Sequence, residues 1–215
     1  AAPTPAEFAP RQAERDGEVL VACDASAPFS GYVFKTFSDP FTGRLTFIKI
    51  ASGTLSRDAD VVNIAKGHHE KLAHLQSTLG KKHSEIERAH AGDIVMCAKL
   101  KNTVSGDSLG ADASTPRFAL PDLPASLFAF SALPATPGDD DKMMDALHKI
   151  EAEDQTLKIE RREDTCQIVM SGLGEVHLQT VIARLKNSFG VEVKTAEPKI
   201  AYRETIRQKI KYEGK

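Results

Sequence analysis

The hydrophobic period changes once along this chain, and the change restricts the fold more than any other feature. From Pro28 to Leu109, short β-rich runs at Tyr32–Thr36, Leu45–Ile50, Val61–Ala65, Leu72–Gln76 and Ile94–Leu100 alternate with turn residues. Those turns are Asp39-Pro40, Ser52-Gly53, Lys66-Gly67, Ala91-Gly92-Asp93 and Ser105-Gly106-Asp107. Strands this short and closely spaced, with no sustained helical period, predict a small closed β-barrel whose closure leaves no sheet edge exposed. After residue 126 the pattern becomes mixed. Leu127–Ala132 is a short apolar strand, and Asp139–Glu153 sets Met143, Leu147 and Ile150 at i, i+4 and i+7, one buried helical face. Leu157 and Ile159 alternate with Lys158 and Glu160, Gln167–Met170 forms a further strand, and residues 175–188 stripe Leu178, Val181, Ile182, Leu185 and Phe189 before a stop at Gly190. Val191 and Val193 close the series. The order is βαββαβ, a ferredoxin-like split unit.

Composition narrows the function classes. The 215 residues suit one or two domains, and Trp is absent, so the cores rest on Val, Ile, Leu and ten Phe. Cys23, Cys97 and Cys166 are odd in number, widely separated and free of Cys-x-x-Cys pairing, which argues against a disulfide framework or a zinc site and fits a reducing cytoplasm. No segment reads as a signal peptide, and no apolar run approaches membrane-spanning length. The formal charge of −2 hides a gradient: residues 1–115 carry 13 Lys and Arg against 14 Asp and Glu, residues 116–200 carry 10 against 14, and residues 201–215 carry 5 against 2. An autonomous nucleic-acid binder would be strongly basic, so any RNA contact here must use a local patch.

Several catalytic and binding motifs are approached and not completed. A phosphate-binding loop needs Gly-x-x-x-x-Gly-Lys-Ser/Thr, but at Gly80-Lys81-Lys82 the first glycine is Leu75 and the hydroxyl position is Lys82. Gly172-x-Gly174-x-x-His177 follows a strand and opens a helix like a dinucleotide fingerprint, with Glu192 about twenty residues on. His177 stands in the third glycine's place and no parallel crossover surrounds it, so its expected role is a sharp turn with helix-start amides available to an anionic partner. His68 and His69, with His74 nearby, would point to opposite faces of a strand, and no further ligand sits at a recognised metal-site spacing. Asp139-Asp140-Asp141 is explained by helix capping and dipole complementarity. Phe128 and Phe130 could present rings to RNA bases, but Cys166–Met170 offers no aromatic beside them, so both are expected in the core. The chain is therefore expected to have no catalytic, cofactor or metal residues of its own.

Two stretches carry a resemblance: Ser38-Asp39-Pro40-Phe41-Thr42-Gly43-Arg44-Leu45 and Ser171-Gly172-Leu173-Gly174-Glu175-Val176-His177-Leu178. With Phe34-Lys35-Thr36, Leu45-Thr46-Phe47, Ser52-Gly53-Thr54-Leu55, Ala91-Gly92-Asp93-Ile94, Gly106-Asp107-Ser108-Leu109 and Ala201-Tyr202-Arg203-Glu204-Thr205-Ile206, they resemble, in order, the second and third domains of elongation factor G and the opening of its fourth. The match is uneven. Leu123-Pro124-Ala125-Ser126, Leu133–Gly138 and Leu79–Ser84 depart from the family pattern and look like a divergent elongation factor G-like paralogue.

The resemblance implies a Greek-key translation-factor β-barrel followed by a ferredoxin-like domain. The implied division is 1–24 a connector from an absent GTPase domain, 25–112 the barrel, 113–126 a linker, 127–200 the ferredoxin-like domain and 201–215 the truncated start of a fourth, of which residues 203–215 are expected to be disordered or to borrow a neighbour's sheet edge. It implies a piece of a ribosome-binding GTPase, not an enzyme by itself, with GTP and Mg²⁺ held in the absent domain. The implied partners are small-subunit rRNA and ribosomal proteins, and the chain's own GTPase and C-terminal domains. A cytoplasmic monomer with no membrane contact is expected. Lys35, Arg44 and Lys49 are the candidates for RNA phosphate contact, because phosphate contacts fix position without reading sequence. Asp39, Phe41, Gly43, Gly172, Gly174, Glu175 and His177 are the candidates for interdomain contact. Translocation, ribosome recycling and ribosome protection stay open, as do a stand-alone RNA-binding adaptor and a nucleotide-binding enzyme built on Gly172 and Gly174.

Overall fold

The computed structural model describes residues 7, 9–39, 43–80, 82–119, 121–205, 208 and 211. The chain forms two compact units, Ala1–Leu123 with Lys149–Gln155, and Pro124–His148 with Thr156–Lys215.

The first unit opens on β1 (Arg11–Glu14) and β2 (Glu18–Val21), followed by the long pair β3 (Ser30–Asp39) and β4 (Gly43–Ser52). Then come β5 (Thr54–Ser56), β6 (Asp60–Asn63), β7 (His68–Lys71), β8 (Leu75–Leu79) and β9 (Lys82–Glu85). The series ends with β10 (Arg88–His90), β11 (Ile94–Ala98), β12 (Ser108–Gly110) and β13 (Arg117–Phe118). Eight strands form an antiparallel sheet in the order β7-β6-β12-β3-β4-β11-β8-β9, with β5 and β10 a separate pair. This sheet curls around one apolar core in which Val33, Ile48, Ile50, Leu72 and Leu109 are fully buried. Backbone bonds from Asp58 N to Leu72 O and from Leu72 N to Ala59 O, both 2.9 Å, stitch the β5–β6 turn to the segment after β7. The barrel is thus present, but closure does not remove every edge. All four residues of β9 are exposed, and β9 pairs with β8 alone among the described strands. Lys82 and Glu85 on this edge are the charges that discourage pairing with another chain. Gly80, at φ 61°, follows β8, and Lys82 opens β9 opposite Leu79, so the phosphate-loop approach falls on a hairpin connection.

The largest departure from expectation lies in residues 11–21. Within the stretch expected as a connector, β1 and β2 form a hairpin that also pairs with β13, inside the expected linker. Ala13 and Phe118 bury against Ala51 of the barrel, flanked by Val21 and Tyr32. The sequence does carry a signal: Asp16 and Gly17 both adopt positive φ (51° and 137°), and Asp-Gly is strong hairpin chemistry. The hairpin is hard to read because only Ala13 of β1 is buried, too little to make a hydrophobic period.

Two buried carboxylates pin the loop between β11 and β12. Asp107, 6% exposed, accepts from Asn63 Nδ2 (2.8 Å), Lys66 Nζ (2.8 Å) and Val104 N (2.9 Å) on a single oxygen, Oδ2. Glu70 accepts from Asn102 N at 2.8 Å and, more weakly, from Thr103 Oγ1. Nearby in the core, burial pushes the Cys97 thiol up to about 12, whereas Cys166 is exposed. At pH 8 a thiol reagent is expected to modify Cys166 in the native chain and Cys97 only after denaturation, since the thiolate is the nucleophile. Peptide mapping checks this, and labelling of native Cys97 at the rate of Cys166 would refute it.

The second unit comprises β14 (Phe128–Pro134), α1 (Asp140–Glu153), β15 (Lys158–Arg162), β16 (Gln167–Gly172), α2 (Glu175–Phe189) and β17 (Val193–Ala196). The end of α1, Lys149–Glu153, groups with the first unit. The sheet order β15-β16-β14-β17, antiparallel throughout, is the ferredoxin-like arrangement that the βαββαβ pattern predicts. Met143, Leu147 and Ile150 are buried along α1, as are Leu178, Val181 and Leu185 along α2. Gly190 ends α2 at φ 64°, and the amides of Gly190 and Val191 return to Lys186 O and Leu185 O.

Phe128 and Phe130 are not core residues in the full sense. They pack edge to face with centroids 5.0 Å apart, but Phe128 is 37% exposed and Phe130 half-buried. In register they stand beside Gly172 and Met170, on the face that α2 covers, and lie toward its rim. Gln167, also buried, donates to Ser131 Oγ and accepts from Lys199 N at 2.8 Å, tying the segment after β17 to the sheet. Residues 201–205 are exposed and without regular structure, and the expectation for Ile206, Arg207 and most residues after them lies outside the described residues. Among those described, no helix is long and apolar enough to cross a membrane.

Candidate functional site

The three candidate cations do not converge. Lys35 and Lys49 lie on the outer face of the β3–β4 pair, opposite Phe47 and Tyr32 in register. Arg44 is paired with Ser38 near the far end, five residues from Lys49 and so on the other face of its strand. Each is also held within the first unit. Lys35 Nζ donates to Glu153 O at 2.8 Å and sits 5.3 Å from the Phe37 ring. Arg44 Nη1 reaches the carbonyls of Lys101 and Thr103 at 3.3 and 3.4 Å, fastening the β11–β12 loop. Lys49 Nζ donates to Gly92 O.

A register shift at Val33/Lys35 makes Phe34 an extra residue in β3, a bulge that re-aims the strand. Phe34 and Phe37 are exposed on the surface and flank Phe47, at centroid distances of 6.2 and 5.7 Å. Bulges leave no mark on a period-two reading, so sequence reasoning misses this cluster. The hairpin also delivers a cation that the connector reading sets aside. Arg11 and Lys49 line one cavity of about 410 Å³ with Val21, Cys23 and Ile50. Arg11 stacks over Tyr32 at 4.6 Å from the ring centre.

Among the interdomain candidates, Asp39 ends β3 opposite Gly43, whose φ of 78° favours glycine, and Phe41 lies outside the described residues. The other four form one compact turn. A Cβ on Gly172 would lie 2.7 Å from His177 Nδ1 and 2.9 Å from Leu178 Cδ2, so the glycine lets α2 approach β16. His177 Nδ1 accepts the Leu173 amide at 3.1 Å, satisfying a donor just ahead of the helix. Gly174 is different: its backbone is fully extended and a Cβ there would meet nothing within 4 Å. Glu175 accepts from Gln179 on the surface. Around this turn Leu127, Leu173 and Val176 are 85%, 41% and 75% exposed, and Leu127 N donates to Gly172 O. Among the described residues, no group of three His, Cys, Asp or Glu could hold a metal ion.

Comparison with known proteins addresses both units. Residues 28–112 match the family model for elongation factor G domain 2, and residues 123–197 match that for elongation factor G domain III. The chain belongs to the elongation factor G family. A crystal structure of a protein from Thermus thermophilus superposes with a TM-score of 0.76 and 31% identity, over 85% of this chain and 27% of that one. The chain thus spans about a quarter of that relative's length. In elongation factor G terms, β3 to β12 are the second domain and β14 to β17 the third. The β1–β2 hairpin precedes the region that the domain 2 model covers.

Proposed function

We propose that this chain is the ribosome-docking and relay portion of a translational GTPase. The observation that carries the reading is the presence of both family domains, in order, on one chain. In this reading the barrel rests on small-subunit RNA through Lys49, with Lys35, held in place by Glu153, on the same outer face of the β3–β4 pair, while Arg44 fastens the β11–β12 loop from the other face. The third domain meets the GTPase domain at Gly172, Gly174, Glu175 and His177, where exposed Leu173 and Val176 supply an apolar contact. GTP and Mg²⁺ belong to that GTPase domain, and the chain turns over no nucleotide itself. Hydrolysis changes the contacts at the α2 start, and a hinge near residues 111–126 converts the change into domain rotation that drives translocation or recycling. The setting is the cytoplasm and the chain acts as a monomer.

Sedimentation with ribosomes across a salt series tests this. Binding is expected to fall about tenfold or more between 50 and 200 mM salt, the loss that about three neutralised phosphates produce, and Lys49→Glu is expected to weaken it further. Salt-independent binding, or none at low salt, would count against the docking assignment.

A further inference from the structure

The cavity between the β1–β2 hairpin and the barrel stands apart electrostatically from its neighbours. It is about 410 Å³, its described lining includes Arg11 and Lys49, and no carboxylate is among those lining residues. Two other cavities against the same hairpin each carry one more carboxylate than cation in their lining. In one, Arg15 is accompanied by Asp24 and Asp112; in the other, Arg15 and Arg117 face Glu14, Asp16 and Glu18. The described lining of this cavity therefore carries two cations, where that of each of the other two is net acidic. Its walls of Val21, Ile50 and Ala51 are apolar, which strengthens the field felt by an anion inside.

Both cations are positioned. Tyr32 lies under the Arg11 guanidinium and itself packs on Phe118 at 5.5 Å, so the Arg11 fork rests on an aromatic platform with its edge available. Lys49 is steadied by Gly92 O, at the cavity wall. A planar fork and a point charge across a cavity of this size suit a tetrahedral oxyanion.

We infer that this cavity receives one backbone phosphate of RNA, held jointly by Arg11 and Lys49. The inference rests on the reading that the barrel docks on ribosomal RNA, and it adds Arg11 and the hairpin to that surface. Because one phosphate is shared, removing either cation forfeits the same contact, and removing both forfeits little more.

Cys23 lines the cavity and serves as a probe, in a Cys166→Ser chain in which Cys97 is buried. Sedimentation reports ribosome binding, while alkylation of Cys23, read by mass spectrometry, reports occupancy of the cavity. Ribosomal small subunits are expected to slow Cys23 alkylation at least about threefold. Arg11→Gln and Lys49→Gln are each expected to make the salt slope of binding shallower by about one unit, and the double variant by about one unit as well. Arg11→Lys is expected to restore most of the slope, which separates lost charge from a disturbed hairpin. Co-sedimentation with Cys23 alkylated at the free rate and slopes unchanged would overturn the inference and leave the docking reading standing. Absence of co-sedimentation would defeat the docking reading and the inference with it. Protection by inorganic phosphate or GTP at the same micromolar concentration would overturn RNA as the source of the phosphate.

Discussion

Asp107→Ala is expected to cost the barrel about 3 kcal/mol, because one oxygen satisfies three donors and the buried amide of Asn63 cannot turn to water. Asn63, with no exposed surface, keeps its amide buried without the 2.8 Å bond, and Val104 N loses its acceptor in the same loop. Lys66 is partly exposed and recovers hydration, which keeps the figure at the lower end of the range for broken buried ion pairs. Asp107→Asn retains an acceptor of the same shape and should lose less, about 1–2 kcal/mol. In thermal melts the Ala variant should fall by about 6 °C or more, at ~2–4 °C per kcal/mol for a chain of this size. A shift under about 2 °C, less than 1 kcal/mol on that scale, would show that the β11–β12 loop is held by other contacts. The effect reaches the candidate surface, since Arg44 is fastened to the carbonyls of this loop.

The paired substitutions Gly172→Ala and Gly174→Ala are expected to separate packing from recognition. At Gly172 the added methyl meets Leu178 Cδ2, which is fully buried, and His177 Nδ1, whose bond to Leu173 N must break for the ring to move. The expected cost is about 1–3 kcal/mol, the range for overpacking a filled site. At Gly174 the methyl enters open space on an extended backbone that alanine also adopts, and stability should change by less than about 0.5 kcal/mol. A Cβ at Gly174 meets no described atom, so, if the proposed relay is right, Gly174→Ala weakens association with a GTPase domain while leaving folding intact. Equal melting temperatures for the two variants would contradict this account of the turn.

Much of the architecture is written in spacing. The i, i+4, i+7 pattern of Met143, Leu147 and Ile150 leads to α1, and the stripe of α2 leads to a buried Leu178–Val181–Leu185 face because a helix must bury one side to persist. The barrel strands are legible wherever buried and exposed residues alternate. What escapes is whatever depends on contacts distant in sequence. The β1–β2 hairpin buries little more than Ala13, so its place is set by Ala51 and Phe118, which lie far along the chain. The bulge at Phe34 disturbs the period it would have to be read from, and β7, with only Glu70 buried, has a polar interior that serves a loop thirty or so residues away. For the candidate site, sequence names the cations but does not tell that Lys35 is engaged by Glu153 or that Arg11 joins Lys49. Gly172 stands out in the sequence as a turn residue, while the reason, contact with His177 and Leu178, needs coordinates.

Directed hydroxyl-radical cleavage tests the central claim most directly. An iron chelate attached at Ser84→Cys on the exposed β9 edge, in a chain lacking Cys23 and Cys166, would cut whatever RNA the barrel approaches. The account predicts cuts in small-subunit RNA that fade as salt is raised. Cuts confined to large-subunit RNA, or none from a chain that still co-sediments, would contradict it.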